Sequence, residues 1–266
     1  MINTSHSGTF LLAGKRKVNR MGFGAMRLTG PGVWGEPKDL NEGYAILRRA
    51  VELGVNFMDT ADSYGPEVSE NAIAAALFPY PKDLVIATKG GLVRPGPNRW
   101  VPLGRPDYLT QCVEMSLRRL KLECIDLYQL HAVDPEVPLE DSVGALKEMQ
   151  AQGKIRYIGL SNVSVPEIKR AQKLVEVVSV QNRYNYFDRA SEDVIKYCEE
   201  QNMAFIPWYP VGGGNSAPFE KLAKEGKGTP TQIALAWLLH HSPVMLPIPG
   251  TASMAHLEEN IAASNL

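Results

Sequence analysis

The chain has few cysteines. Only three occur among its 266 residues, Cys112, Cys124 and Cys198, and they lie far apart. Their spacing matches no zinc motif, and an odd number of cysteines cannot all pair in disulfides. This usage is typical of a reducing cytoplasm rather than of a secreted, disulfide-stapled scaffold.

A strong charge of either sign is also absent. The formal net charge is -1 at pH 7, without a basic stripe or an acidic tail, so nothing indicates a nucleic-acid partner. No apolar run is long enough to span a bilayer, and residues 1–6 are polar, unlike the core of a signal peptide. We expect a cytoplasmic protein that acts on a small molecule, with a monomer as the favoured state.

A third absence concerns nucleotide binding. A doubly wound sheet that binds a dinucleotide needs G-x-G-x-x-G between an early strand and a helix. Neither Gly22 and Gly24 nor the run of glycines at 212–214 supplies that motif in that context. If a dinucleotide binds here, it does so in another way.

Short apolar, β-branched runs do alternate with amphipathic helical segments along the whole chain. Continuous apolar character is typical of parallel strands that are buried on both faces. Because such units follow one another, we predict a (β/α)8 TIM barrel as one domain over 1–266; an open doubly wound sheet is the competing architecture. The predicted barrel strands are 21–25, 55–58, 84–88, 125–130, 155–160, 178–180, 204–207 and 244–248, and the predicted helices are 39–53, 107–120, 139–152, 191–201 and 231–241, with an N-terminal β-hairpin at 9–12 and 17–19.

Polar side chains stand at the carboxyl ends of successive predicted strands, where a barrel enzyme places its active site. Stability alone does not explain apolar strands that end, one after another, in ionisable or amide groups. The residues at or just after these ends are Asp59, Tyr64, Lys89, His131, Ser161, Asn162, Gln181, Trp208 and Tyr209.

Four of these residues make a coherent set of proton-transfer groups. Tyrosine is a poor acid at neutral pH unless its phenolate is stabilised, as a lysine ammonium beside the hydroxyl would do. Asp59, Lys89 and Tyr64 supply the carboxylate, the ammonium and the phenol, and His131 offers an imidazole for a substrate oxygen. Taken singly, each residue has a structural alternative, such as a loop salt bridge, a buried histidine or a tyrosine packed in a turn.

Four segments carry a resemblance to a known family: GVNFMDTADSYG at 54–65, ATK at 87–89, DLYQLH at 126–131 and GKIRYIGLSN at 153–162. They resemble, in order, the signatures of the aldo-keto reductases. The resemblance implies an enzyme that passes hydride between a nicotinamide cofactor and a carbonyl or alcohol. In that scheme Tyr64 is the general acid/base, Lys89 and Asp59 tune it, and His131 orients the carbonyl.

The resemblance also implies a cofactor site for NADP(H), with NAD(H) as the alternative. Ser161, Asn162 and Gln181 would hold the nicotinamide carboxamide and Trp208 would stack on its ring. Gly250 and His256 stand where relatives commonly have Lys and Arg, so two cations that would hold a 2′-phosphate are missing or weakened. The other implied contacts are Gly24, Met26 and Arg27, then Tyr209, Val211, Gly212 and Gly213 near the ribose and diphosphate, and Thr251, Ser253, Glu259 and Asn260 near the adenosine.

The segments 22–35 and 249–260 resemble the branch that contains pyridoxal reductases, which interconvert pyridoxal and pyridoxine. Trp34, Trp100 and Tyr64 would then form an aromatic cup around a flat ring, with His131 at the carbonyl; alternatively, the two tryptophans only anchor loops. Arg94 and Arg99, in the predicted loop 90–103, either attract an anion or remain solvated.

Two other functions compete. A Schiff-base lyase would use Lys89 as its nucleophile, but such a lysine should be neutral, and Asp59 favours its charged form. A non-catalytic, cofactor-binding regulatory subunit would keep the fold without turnover. A metal centre is not expected, because His240 and His241 are adjacent on a predicted helix and point in different directions.

Overall fold

The computed structural model describes residues 2–212 and 217–266. Its strands are β1 (Thr9–Leu12), β2 (Arg16–Asn19), β3 (Phe23–Gly24), β4 (Phe57–Asp59), β5 (Val85–Gly90), β6 (Leu92–Gly96), β7 (Arg99–Pro102), β8 (Ile125–Leu130), β9 (Ile155–Ser161), β10 (Val177–Arg183) and β11 (Ala204–Trp208). Seven of them form a parallel sheet in the order β11-β10-β9-β8-β5-β4-β3. Neighbouring strands are joined by helices, as a parallel barrel requires.

The eighth position of the barrel is filled without a regular strand. The segment 244–248 lies between β11 and β3: the amide of Phe205 donates to Val244 O at 2.9 Å, and that of Gly22 donates to Pro247 O at 2.9 Å. Because Pro247 and Pro249 have no N–H, this segment cannot complete a hydrogen-bond ladder. The strand predicted at 244–248 is therefore wrong as a regular strand, although the segment occupies its place in the barrel.

The helices are α1 (Leu40–Glu52), α2 (Val68–Leu77), α3 (Pro106–Leu120), α4 (Leu139–Ala151), α5 (Val165–Ala171), α6 (Glu192–Gln201), α7 (Glu220–Lys224), α8 (Pro230–His241) and α9 (Met254–Ala262). Each predicted helix is present within a residue or two of its predicted ends. The carboxylate of Asp39 caps α1 by accepting from the backbone N–H groups of Asn41 and Glu42. None of the helices in 2–212 and 217–266 combines the length and apolar character needed to cross a membrane.

The helices α2, α5 and α7 and the hairpin β6–β7 were not predicted. The helix α2 follows Glu67, which lies at φ 71° and makes no side-chain cap. Because glutamate is not one of the usual N-cap residues, the sequence does not mark the start of this helix. The hairpin β6–β7 lies in the predicted loop 90–103, where Pro95, Gly96 and Pro97 suggest a loop. Its turn uses Asn98 at φ 55°.

The N-terminal hairpin predicted at 9–12 and 17–19 is present as β1 and β2. It covers the amino end of the barrel. Leu12, Val18 and Met21 are 0% exposed and share one apolar core with barrel residues such as Phe57 and Leu127. The hairpin also holds the barrel through a polar contact, because the Asn19 amide donates to Gly54 O at 2.8 Å. The amino end is therefore closed and apolar.

Candidate active site

A buried ion pair lies at the carboxyl end of the barrel. Asp59 ends β4 and Lys89 lies on the neighbouring β5, so the parallel register brings the two side chains together. Lys89 Nζ lies 2.7 Å from Asp59 Oδ2 and donates to Thr60 O at 2.8 Å, while the two side chains are 0% and 2% exposed. Burying such charges is costly unless they are paired and hydrogen-bonded, and both conditions hold here.

The phenol of Tyr64 is the third partner of this lysine. Lys89 Nζ lies 3.4 Å from the Tyr64 hydroxyl oxygen. Burial raises the pKa of Tyr64 above its ordinary value, although the charge of Lys89 acts in the opposite direction. The phenol therefore carries its proton at neutral pH, which is the form that a proton donor needs.

Lys89 itself stays charged. Burial alone would lower its pKa, but the charge of Asp59 and the contact with Tyr64 outweigh that effect and raise the pKa above its ordinary value. A lysine that forms a Schiff base must be neutral to attack. The environment of Lys89 therefore disfavours the lyase function.

Two glutamines complete the partners of Asp59. Gln181 Nε2 donates to Asp59 Oδ1 at 2.8 Å, and Gln129 Nε2 donates to the same oxygen at 3.2 Å. Gln181 was predicted to face a nicotinamide, yet one of its N–H groups is committed to the carboxylate. Gln129 was missed, although it lies two residues before His131 on β8, and alternate residues of a strand share a face.

His131 lies beside the phenol and is neutral. Its ring centroid is 5.7 Å from that of Tyr64 at an interplanar angle of 80°, and Ser63 Oγ lies 3.3 Å from its Nδ1. Burial, reinforced by the charges of Lys89 and Arg94, holds the pKa of His131 well below its usual range. A neutral imidazole carries one N–H, so a hydroxyl that donates to Nδ1 leaves the proton on Nε2. Sequence reasoning missed Ser63.

The predicted nicotinamide-side residues adjoin this cluster. Asn162, at φ 57°, donates through Nδ2 to His131 O at 3.0 Å and accepts from Trp208 Nε1 at 3.0 Å. Ser161 Oγ donates to Gln181 O at 2.8 Å. Together with the hydrogen bond from Asn162 Nδ2 to Ser161 Oγ, these contacts to side chains and backbone carbonyls link the ends of β8, β9, β10 and β11 around the barrel mouth.

Family membership follows from the comparison with known proteins. The model of the Aldo/keto reductase family matches residues 20–217 and 215–266. The chain belongs to the aldo/keto reductase family. It is similar to an uncharacterized oxidoreductase of Schizosaccharomyces pombe, at 52% identity over 100% of this chain and 87% of that protein. It is also similar to a pyridoxine 4-dehydrogenase of Escherichia coli, at 44% identity over 98% of this chain and 94% of that protein.

Solved structures show the same fold. A glycerol dehydrogenase from Gluconobacter oxydans superposes with a TM-score of 0.86 at 26% identity, covering 96% of this chain and 90% of that one. An aldo-keto reductase from Klebsiella pneumoniae, solved in complex with NADPH, gives a TM-score of 0.82 at 23% identity over 97% of this chain and 89% of that one. The predicted barrel and the predicted family are thus confirmed, and the chain is an oxidoreductase.

The first and last predicted cofactor segments touch. A Cβ placed on Gly250 would lie 2.3 Å from Gly24 O, and a Cβ on Gly24 would lie 2.7 Å from Ile248 O. Gly250, where relatives commonly have Lys, therefore has no room for a side chain. Its contribution to a cofactor site is limited to its backbone.

The remaining predicted cofactor residues lie around the barrel mouth and along α9. Ser253 caps α9, accepting from the backbone N–H of His256, and Thr251 Oγ1 accepts from the amide of Ser253 at 3.0 Å. The Glu259 carboxylate accepts from Thr229 Oγ1 at 2.6 Å, so it is tied to the start of α8. Met26 and Arg27 lie in a 3-10 helix after β3, Tyr209, Val211 and Gly212 follow β11, Asn260 is buried in α9, and Gly213 lies outside the described residues.

An aromatic side chain borders the cluster of Asp59, Tyr64, Lys89 and His131, which we call the tetrad. The ring centroid of Trp100, on β7, lies 6.2 Å from that of Tyr64 and 6.3 Å from that of His131, edge to face in both cases. Trp34 is 37% exposed, and its backbone forms a bridge with Gly65. Of the two tryptophans in the predicted cup, Trp100 is the one that contacts the tetrad.

A cavity of about 330 Å³ is lined by residues of α3, of the β6–β7 hairpin and of the segment that precedes α2. Its lining includes Asp62, Cys112 and Arg119. Burial, with the nearby charge of Glu70, raises the pKa of Asp62 to about 7. Across residues 2–212 and 217–266, no group of three or more His, Cys, Asp or Glu side chains is arranged to hold a metal ion.

Proposed function

We propose that this chain is an NADP(H)-dependent reductase that converts an aldehyde to an alcohol, with pyridoxal as the substrate. The observation that carries the proposal is the buried contact of Lys89 Nζ with both Asp59 Oδ2 and the Tyr64 hydroxyl, next to a neutral His131. A buried acid beside a buried cation, at the mouth of a barrel, supports general acid catalysis.

The residues at the barrel mouth fit a nicotinamide dinucleotide. Trp208 offers an indole and Ser161 and Asn162 offer hydroxyl and amide groups, which suit a flat ring that carries a carboxamide. Gly24 and Gly250, which lie against each other, have no side chains, so only backbone groups are present at this point for a cofactor to contact. When bound, the reduced cofactor supplies a hydride to the carbonyl carbon of the substrate.

The side chains of this chain supply the proton and the orientation. The carbonyl oxygen accepts a hydrogen bond from Nε2–H of His131, and it takes the proton of the Tyr64 hydroxyl as negative charge develops on it. Lys89 stabilises the resulting phenolate, and Asp59 keeps that lysine charged. Oxidation of the alcohol uses the same groups in reverse.

Pyridoxal is proposed because of a named relative and because of the ring of Trp100, which we call the aromatic wall. The Escherichia coli relative that is 44% identical is a pyridoxine 4-dehydrogenase. The ring of Trp100, edge-on to Tyr64 and His131, offers an aromatic surface where a flat substrate ring would lie. We propose NADP(H) over NAD(H) on the family pattern, although Gly250 and His256 supply no Lys or Arg for a 2′-phosphate.

The test is an assay of purified protein with pyridoxal, following loss of NADPH and, separately, of NADH, with benzaldehyde as a parallel substrate. Rapid, NADPH-selective loss with pyridoxal is the expected result. Turnover of benzaldehyde alone would keep the reductase and remove pyridoxal as its substrate. Binding of NADPH without turnover of any aldehyde would favour the regulatory function instead.

A further inference from the structure

The side chain of Arg94, on β6, is buried inside the loops at the barrel mouth. It is only 9% exposed, so it is neither a solvated loop arginine nor an open receptor for an anion. Its Nη1 donates to Val33 O and to Ser63 O, both at 2.8 Å. Its Nη2 donates to Gly32 O at 2.9 Å, and its Nε donates to Arg99 O at 2.8 Å.

These acceptors are backbone carbonyls of three different chain segments. Gly32 and Val33 lie in the segment after β3. Ser63 lies directly before Tyr64, and Arg99 lies on β7, the other strand of the hairpin. A planar guanidinium can reach carbonyls in several directions at once, whereas a lysine ammonium is a point charge on a flexible stem. Arg94 thus holds the hairpin against the turn that carries the proton donor.

The same guanidinium also supports the aromatic wall. Its central carbon lies 3.6 Å from the ring centroid of Trp100, which is close stacking of a cation on an indole. The edge contacts of Trp100 with Tyr64 and His131 therefore depend on a ring that Arg94 covers on one face. Without that support, the indole would have other rotamers available.

We propose that Arg94 is a positioning residue that determines selectivity for flat aromatic aldehydes by holding Trp100 beside the reacting carbonyl. The inference rests on the proposed reductase function and adds the substrate class to it. The geometry assigns Arg94 no contact with the substrate, because all three of its nitrogens are engaged with carbonyls. Its effect is transmitted through the indole.

The experiment compares Arg94→Met and Arg94→Lys with Arg99→Met, a matched control in the same hairpin whose side chain is exposed. For each variant, kcat and KM are measured with pyridoxal, benzaldehyde and propanal, and the Kd of NADPH is measured by fluorescence. Both Arg94 variants should raise KM for the two aromatic aldehydes roughly tenfold, which is the fold-change that corresponds to the free energy of a desolvated cation–π contact. KM for propanal and the Kd of NADPH should change less than about twofold, and Arg99→Met should resemble the wild type.

Three results would overturn the proposal. If both Arg94 variants keep the wild-type KM values, Arg94 does not position Trp100 for aromatic substrates. If KM rises equally for propanal, the effect is not selectivity for a ring. If Arg94→Met still raises KM for aromatic aldehydes in a Trp100→Leu background, which has no ring at this position, the effect does not pass through the indole.

A binding measurement separates this inference from the proposed function. Pyridoxine is titrated into each protein and quenching of tryptophan fluorescence gives its Kd without any turnover. If the wild type reduces no aldehyde, the proposed function fails, but a roughly tenfold weaker pyridoxine Kd in Arg94→Met would still support the positioning role. An unchanged Kd, or no pyridoxine binding to the wild type, would overturn it.

Discussion

The two ends of the barrel bury very different side chains. At the amino end, Leu12, Val18 and Met21 are completely buried and apolar. At the carboxyl end, Lys89 and Asp59 are just as buried but charged. The same strands run between the two ends, so the difference comes from the side chains and loops at each end and not from the sheet.

This contrast separates stability from chemistry. Apolar burial at the amino end contributes directly to the free energy of unfolding, at about 25 cal/mol per Å² removed from water. Burial at the carboxyl end opposes folding, and the partners of Asp59 and Lys89 offset that cost. The carboxyl end therefore holds its reactive groups in place before any ligand binds, and the amino end supplies stability that offsets this cost.

Tyr64→Phe should show the contrast most strongly. It removes only the hydroxyl that lies 3.4 Å from Lys89 Nζ, so turnover should fall by roughly 10²–10⁴-fold, the size of general acid catalysis. The Kd of NADPH and the melting temperature should stay close to the wild-type values. Steady-state kinetics, with a fluorescence titration of cofactor, test this, and full activity in the variant would remove Tyr64 from its proposed role.

Leu12→Ala tests the opposite end. Its side chain is 0% exposed, so the variant should lose about 3 kcal/mol of unfolding free energy through the cavity it leaves. The kcat of the folded enzyme should not change, because the hairpin lies at the far end of the strands. Urea unfolding and kinetics below the transition are the measurements. Leu11→Ala, next to it but 46% exposed, is the control and should cost much less.

Asp62→Asn tests the carboxyl end of the barrel through the pH dependence of the free energy of unfolding. The folded-state pKa of Asp62 is raised to about 7, above its ordinary value of 3.8, so the folded protein holds a proton that the unfolded chain has lost. The stability that this group contributes is therefore present at low pH and is lost as pH rises from about 4 to 7. Asparagine has no such charge, so at pH 8 the variant should be more stable by about 1–3 kcal/mol.

The measurement is urea unfolding of both proteins at several pH values between 4 and 8. The difference in stability between Asp62→Asn and the wild type should grow with pH over that window. Asp83→Asn, at an exposed position, should show no such trend. A difference that is constant across the window would show that the carboxyl of Asp62 is not perturbed in the folded protein.

Ser63→Ala should have the smallest effect. It removes the hydroxyl that lies 3.3 Å from His131 Nδ1, and with it a neutral hydrogen bond that we expect to favour the Nε2–H tautomer. We expect kcat to fall roughly threefold, in line with the net value of such a bond, with little change in stability. Ser63→Thr keeps a hydroxyl and should recover most of the activity. Equal losses in both variants would mean that the hydroxyl does not act through His131.

Much of the fold was predictable because its signals are local. The strand β8 was predicted at the residues where it occurs, since a buried parallel strand is a short continuous apolar run. The strand predicted at 244–248 was wrong because Pro247 and Pro249 have no N–H to donate to a hydrogen-bond ladder. The segment still lies in the strand position because it bonds to the segments on either side. The helix α2 and the hairpin β6–β7 were missed because the first lacks a cap residue and the second contains prolines and a glycine.

The position of the proposed proton-transfer residues at one rim of the barrel was predictable for a related reason. Asp59, Lys89 and His131 each lie at the end of an apolar strand, and parallel strands bring their ends to one rim. Their individual roles stay predictions that the variants above test. Gln129 and Ser63 lie close in the chain to predicted site residues, but their partners Asp59 and His131 are 70 and 68 positions away, so the sequence does not show these contacts.

By itself, the sequence determined the family and the barrel and indicated which side chains are candidates for the chemistry, because residue type and apolar periodicity are properties of short segments. The tertiary structure alone decided which of these side chains touch. The hydrogen bond of Gln181 to Asp59 joins residues that are 122 positions apart, and Arg94 meets carbonyls 61 and 62 positions away. Such contacts depend on barrel closure and strand register, where a shift of one residue would turn each side chain to the other face.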